Sequence, residues 1–355
     1  MTGEKTSSAH TWSLSRIGIF PGLRVLAWDG DVLYASRGYS LLRAEVKTDK
    51  VNWEPVASYR PPTWRRLSSA SQLGSRFFRD GFHALAVFPS GELIAALPGA
   101  IATLSVGDEE FRVTHRVLRG TRPLHLALTP DNQVLWGEYF DNAQRDEVHV
   151  YRSVDRGATW DVAYTFAKGE IRHIHNIACD PWENCLWVLT GDEGEECRIL
   201  RVSYDFKSID VALAGNQQAR SVALIPTRDG LFFSSDTPLE ANHVYHLDRH
   251  GGLRAVADLD SSSIYGCSTT AAMFFSTMVE PSAVNSTQDV CLYGSVDGFS
   301  WHKALARKKD PWPMGLFQYG NIALPDGQNT SDVLAMTTIA VEGGGLDTSL
   351  WRVLR

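Results

Sequence analysis

Apolar runs of about four to eight residues recur along almost the whole chain, each closed by Gly, Pro, Asn or Asp. Branched and aromatic residues favour extended backbone, and the closing residues favour turns, so the pattern predicts strand after strand. Long helical periodicity is missing. The exception is a polar insertion at 63–78, expected to hold a short helix or a loop. The runs group into seven units of one plan: an inner strand, a turn, a second strand, a loop and outer strands. The units span 27–46, 83–117, 125–166, 172–213, 220–259, 264–305 and 317–354. The seventh is one strand short. The alternating segment 12–17 precedes the first unit, and pairing it with the last would close a ring and remove open sheet edges.

Two turns share one pattern. Ser153-Val154-Asp155-Arg156-Gly157-Ala158-Thr159-Trp160 and Ser295-Val296-Asp297-Gly298-Phe299-Ser300-Trp301 each sit between apolar runs. In such a turn Ser and Asp bond their own backbone, Gly permits positive φ, and Trp fills the space beneath. A weaker third copy is Ser203-Tyr204-Asp205-Phe206, with Ile209 in place of the Trp. The pattern resembles the Asp-box, or BNR repeat, of sialidase-like β-propellers. That resemblance implies an all-β, seven-bladed β-propeller closed by an N-terminal strand, with six or eight blades as the alternative counts. It also implies that the boxes sit on the outside of blades, away from a central site. Blades depend on their neighbours, so residues 1–355 are expected to form a single domain.

Composition narrows the function classes. A net charge of −7 with 34 Lys and Arg leaves no basic footprint for nucleic acid. No apolar run approaches the ~20 residues of a membrane-spanning helix. The segment Met1–Thr11 is polar and lacks a signal-peptide core, so the cytoplasm is the expected location, or export if a leader has been removed. Cys179, Cys185, Cys197, Cys267 and Cys291 are odd in number and form no CxxC pair, which predicts buried reduced thiols. Eleven Trp, eleven Tyr and fifteen Phe suit both a propeller and a sugar binder. Oligomeric state is left open.

Aligning the units on their inner strands places His83, His125 and His175 at one register in three consecutive blades. An Arg comes shortly before each of these histidines, Arg79, Arg122 and Arg172, and the fifth unit keeps Arg220 with Ser221 in the place of the His. Tyr265 in the sixth unit and Gln318 and Tyr319 in the seventh occupy comparable positions. Tyr139 follows a second strand and is a candidate phenol for the same face. Glu138, Asp192 and Glu193 lie at similar points; the last two are expected to be solvated loop charges. His173 and His175 share one side of a strand and form a His-x-His pair, so with one further donor they are candidate ligands for a divalent ion such as Ca or Zn, though no cofactor is required.

Several Arg in a funnel suit an anionic oligo- or polysaccharide, because guanidinium pairs bidentately with carboxylate. The Arg-Ile-Pro signature of sialidases is absent; Arg16-Ile17-Gly18 is nearest. In the character of its site residues the chain resembles propeller polysaccharide lyases acting on uronic-acid glycans. That resemblance implies His125 or His83 as base, Tyr139 as acid/base, Arg122, Arg172 and Arg220 with Arg79 as carboxylate binders, Tyr265 and Tyr319 as substrate contacts, and His175 as a group that orients substrate or holds metal. The competing readings are a non-catalytic propeller that binds glycan or protein, and a sialidase-like or other glycoside hydrolase pairing Glu138 with Asp192 or Glu193.

Overall fold

The computed structural model describes residues 12–355; the polar segment 1–11, on which the expectation about a leader rests, lies outside the described residues. Seven sheets, antiparallel but for one added parallel strand, form a seven-bladed β-propeller. The inner strands, in order, are Arg24–Gly30, Ala84–Val87, Ala127–Leu128, Ile174–Asp180, Ser221–Thr227, Ser263–Ser268 and Asn321–Ala323. They begin blades I to VII.

Each gap between neighbouring blades is filled by one apolar cluster. Ala84, Ala86, Phe88 and Ile94 of blade II, for example, pack on Leu126, Val134 and Trp136 of blade III. A cluster of Trp12, Phe274, Leu292, Leu334 and Met336 joins blades VI and VII. Strands in such a stack are apolar on both faces, because each sheet is covered by two others. Cys185–Thr190, for instance, is buried throughout.

The ring closes as the alternation of 12–17 predicts. Ser13–Pro21 is the outermost strand of blade VII and pairs antiparallel with Asp347–Leu354. One strand was not expected. Asp326–Asn329 leaves blade VII and pairs in parallel with the inner strand Arg24–Gly30 of blade I, adding a second link between the first and last blades. Its Pro325-Asp326-Gly327 sequence reads as a turn, which is why the pattern hid it. The insertion at 63–78 holds two short helices, Thr63–Ser68 and Gln72–Phe78.

The repeated turns join the third and fourth strands of blades III, IV and VI. Asp155 accepts bonds from the Ser153 hydroxyl (2.8 Å), the Thr159 amide (2.9 Å) and the Thr159 hydroxyl (2.6 Å). Asp297 accepts from Ser295, from the amides of Phe299 and Ser300, and from the Ser300 hydroxyl, at 2.7–3.0 Å. Gly157 takes φ +84°, and a Cβ there would come within 2.5 Å of Thr103 Oγ1. The third turn keeps the Ser203–Asp205 bond at 2.7 Å. Asp297→Ala should lower stability by about 1–2 kcal/mol, since several bonds to one carboxylate are lost together; chemical denaturation measures it.

The five cysteines are free; Cys185, Cys197 and Cys291 are buried, while Cys179 and Cys267 are partly covered. Among the described residues no helix is long and apolar enough to cross a membrane.

Candidate functional site

The starts of the inner strands, and the residues just ahead of them, converge on a central funnel with a cavity of about 330 Å³. That is within the range of small-ligand sites, about 300–1,000 Å³. His83, His125, His175, Tyr139, Arg79, Arg122, Arg220, Tyr265 and Tyr319 all line it, with Gln318 beside them. Arg172 and His173 stand one layer behind. Arg172 pairs with Asp141 at 2.9 Å and Asp192 at 3.4 Å, and the His173 ring lies 4.4 Å from that of Tyr139.

The funnel is electrically two-sided. Arg24, Arg79 and Arg122, with His83, come from the first three blades and their lead-in segments. Asp192, Asp236 and Glu280 come from blades IV to VI. Among the described residues no carboxylate pairs with the three arginines. Arg24 Nε is buried without a partner, and Arg122 reaches only the Thr121 hydroxyl at 3.3 Å. Burial, reinforced by Arg24 and Arg79, pulls the Arg122 guanidinium down to about 9. A bound anion would relieve that stress.

The imidazoles differ from one another. Burial first, then Arg122 and Arg24, hold His83 well below the usual imidazole range. Its Nε2 is 2.7 Å from the Arg79 carbonyl oxygen. A carbonyl only accepts, so Nε2 carries the proton and Nδ1 holds the lone pair; Nδ1 is buried and has no partner. His125 is the opposite case. Burial lowers it, but Asp326, 3.1 Å from Nδ1, outweighs that and raises it. Burial lowers His175.

On the acidic side, burial pushes Tyr139 up to about 12, and Asp192 and Asp236 add to the rise. Burial also acts on Asp192, yet the adjoining imidazoles of His173 and His175 outweigh it and hold that carboxyl far below the carboxylate range. Asp192 is therefore no solvated loop charge. Its side chain is 14% exposed, and Arg172, His173, His175 and Arg220 face it at 3.3–3.4 Å. Glu193, by contrast, is exposed and pairs with Arg145. Glu138 is buried away from the funnel, held by Arg119 and by the His149 amide at 2.8 Å. The carboxylate pairs expected of a hydrolase are thus separated, leaving Asp192 alone of the three at the cavity.

Asp236 is buried at the cavity wall, and burial, then Glu280 and Asp192, raise it to about 7 against the opposing pull of Arg220. A carboxyl raised in the fold keeps a proton that the unfolded chain has lost. Stability therefore falls as pH climbs from the ordinary 3.8 to about 7. Asp236→Asn should flatten that fall, which thermal midpoints at about pH 4 and about pH 8 would show.

Arg24, Asp236, Glu280 and Asn321 were not singled out from sequence, although they line the cavity. A signal for two of them existed. An acid follows the second strand at comparable positions in blades IV, V and VI: Asp192, Asp236 and Glu280. Asp326 was masked by its turn-like setting.

Near the rim, the helical insertion and the segment 312–317 expose an aromatic cluster. Trp64 and Phe78 meet at 5.5 Å, Phe77 and Phe317 at 5.8 Å, and Trp312 and Phe317 at 5.4 Å. Arg76 ties the two segments together through Asp310 at 2.6 Å. The two segments run directly into the funnel residues Arg79, Gln318 and Tyr319.

Solved structures with the same wheel are numerous. One from the mitotic checkpoint complex aligns over all of this chain and 99% of its own, with a TM-score of 0.59 and 10% identity. The WD40 β-propeller domain of Doa1 aligns over 96% of this chain and 97% of its own, with a TM-score of 0.55 and 11% identity. A mutant puromycin hydrolase aligns over 91% of this chain but 54% of its own, with a TM-score of 0.54 and 12% identity. At these identities the likeness is one of fold alone. No family model matches the chain, and no curated protein matches it.

Proposed function

We propose that the funnel binds a carboxylate-bearing saccharide and cleaves it by β-elimination, as a uronate polysaccharide lyase does. The observation that carries this reading is the cluster of Arg24, Arg79 and Arg122 without carboxylate partners, beside a neutral His83 with an uncommitted Nδ1. The resemblance of the repeated turns to the Asp-box agrees with it, and the exposed aromatic rim offers flat apolar faces of the kind sugars stack on.

In this reading the arginines hold the uronate carboxylate and stabilise the charge that develops on it. The acidified C5 proton passes to His83 Nδ1. The electrons of the C5–H bond form the C4–C5 double bond, the C4–O bond breaks, and the departing oxygen takes the phenolic proton of Tyr139. A phenol at about 12 is protonated at neutral pH, as a donor must be. His125, drawn toward the charged form by Asp326, adds positive potential and is a poor base. The products are a new saccharide end and an unsaturated uronate.

The test is incubation with a panel of uronate polymers, following ultraviolet absorbance and reducing ends together. A lyase raises both. Reducing ends without the absorbance would make the protein a hydrolase. Neither signal, with saturable binding, would make it a non-catalytic receptor.

A further inference from the structure

His173, His175 and Asp192 form a compact donor triad at the wall of the funnel. His173 Nε2 and His175 Nε2 are 3.0 Å apart, and each is 3.3 Å from an Asp192 oxygen. The other ring nitrogens fix the proton positions. His173 Nδ1 is 3.1 Å from the Phe140 carbonyl, and His175 Nδ1 is 2.9 Å from the Ser221 carbonyl. Carbonyls only accept, so each Nδ1 carries the hydrogen, and in the neutral rings each Nε2 presents a bare lone pair. Two lone pairs and a carboxylate thus face one point. A single proton can bridge one edge of that triangle and leaves the others repulsive.

We infer that this triad is a binding site for a divalent transition-metal ion, with zinc as the reference ion. Zinc bonds to imidazole nitrogen and carboxylate oxygen of about 2.0–2.2 Å, at angles between octahedral and tetrahedral, put neighbouring donors about 2.9–3.5 Å apart. The imidazole–imidazole separation falls in that interval, and so does the distance from each ring to its own Asp192 oxygen, His173 to Oδ2 and His175 to Oδ1, so the carboxylate offers one oxygen to the side of each ring. The backbone bonds to Nδ1 are the outer support that ligating histidines ordinarily have. The ligands come from one strand and the loop after its neighbour, Ile174–Asp180 with its lead-in and Cys185–Thr190, so the fold positions them before any ion arrives.

The surrounding charges are mixed. Arg172 and Arg220 approach Asp192 at 3.4 Å, but each has a second carboxylate, Asp141 at 2.9 Å and Asp236 at 3.6 Å. Asp192 and His175 line the cavity, as does Tyr139, whose ring lies 4.4 Å from His173. Three protein ligands leave coordination positions for water or a substrate oxygen, the arrangement of reactive rather than purely structural zinc. Metal binding stands whether or not the proposed elimination occurs.

The experiment uses the whole chain, freed of metal with a chelator and dialysed. Zinc is titrated in competition with a chromophoric chelator, and cobalt is added to a second sample for its visible spectrum. Binding of about one equivalent of zinc is expected, weakened at least about 100-fold by His175→Ala and by Asp192→Asn, and unchanged by Arg122→Ala. Cobalt should give visible bands without the intense near-ultraviolet band of thiolate ligation. Wild-type protein that takes up no zinc would overturn the inference, even if a variant failed to fold. So would a thiolate band, or affinity unaffected in both ligand variants. Zinc uptake without any elimination would leave the site standing and remove the lyase reading alone.

Discussion

His83→Ala should lower the elimination rate by about 10²–10⁴-fold, the usual cost of removing a general base. The saturating substrate concentration should change little, because in the proposed reaction the carboxylate is held by Arg24, Arg79 and Arg122 rather than by the imidazole. The argument begins in the strand. His83 stands just ahead of Ala84–Val87, and its amide bonds the Ala96 carbonyl of the next strand at 3.0 Å, which fixes the backbone. Its Nε2–H is spent on Arg79, a residue at the left-handed C-terminus of the helix Gln72–Phe78 with φ 52°. One ring nitrogen is thereby tied and the other left with its lone pair. Three nearby guanidiniums oppose a proton on that ring, so the base form persists at neutral pH and well below it. His125→Ala should have a smaller effect, since Asp326 engages that ring. Comparing kcat and KM for the two variants separates the roles. Equal losses, or a larger loss in His125→Ala, would move the base to the other histidine.

A chain beginning at residue 22 should lose at least about 5 kcal/mol of stability, which is most or all of what a typical fold has. Ser13–Pro21 supplies eight paired positions against Asp347–Leu354, including Ser13 with Leu354 and Pro21 with Asp347. Removing it would also take away Trp12. That indole is 8% exposed, packs edge-on to Phe274 at 5.7 Å, and occupies space that only Gly294 leaves open; a Cβ there would meet the ring at 2.5 Å. The deletion would leave both a cavity between blades VI and VII and a bare sheet edge, and bare edges recruit other chains. A lowered thermal midpoint together with concentration-dependent association should be seen by circular dichroism and light scattering. A monomer that melts as the full chain does would mean the ring is held by the remaining contacts, among them the parallel strand Asp326–Asn329.

The wheel was legible because its determinants are local and repeated. Short apolar runs, closed by turn residues, announce strands wherever they occur. The hydrogen-bonded turns around Asp155 and Asp297 carry their whole structure in seven or eight residues. The register of His83, His125 and His175 was legible for the same reason, since equivalent positions in repeated units share one radius. What stayed hidden depends on contacts between distant blades. Asp192 is a loop acid by sequence, and only the approach of Arg220 from blade V and the paired imidazoles of blade IV make it a buried anion. Asp236 and Glu280 belong to the same set, but their strands end in different sequences, Ser235-Asp236-Thr237 and Val279-Glu280-Pro281. Glu138 looked like a funnel carboxylate by position, and Arg119 draws it out of the site.

The most direct test of the arginine cluster is calorimetric. Titrate the protein with a uronate oligosaccharide and with the same oligosaccharide after its carboxyl groups are reduced to alcohols, in wild type and in Arg122→Ala. The account predicts that wild type binds the acid at least about 10-fold more tightly than the alcohol, as a charge-assisted bond worth about 1.5–3 kcal/mol requires, and that Arg122→Ala erases most of that preference. Equal affinity for acid and alcohol in wild type would contradict it.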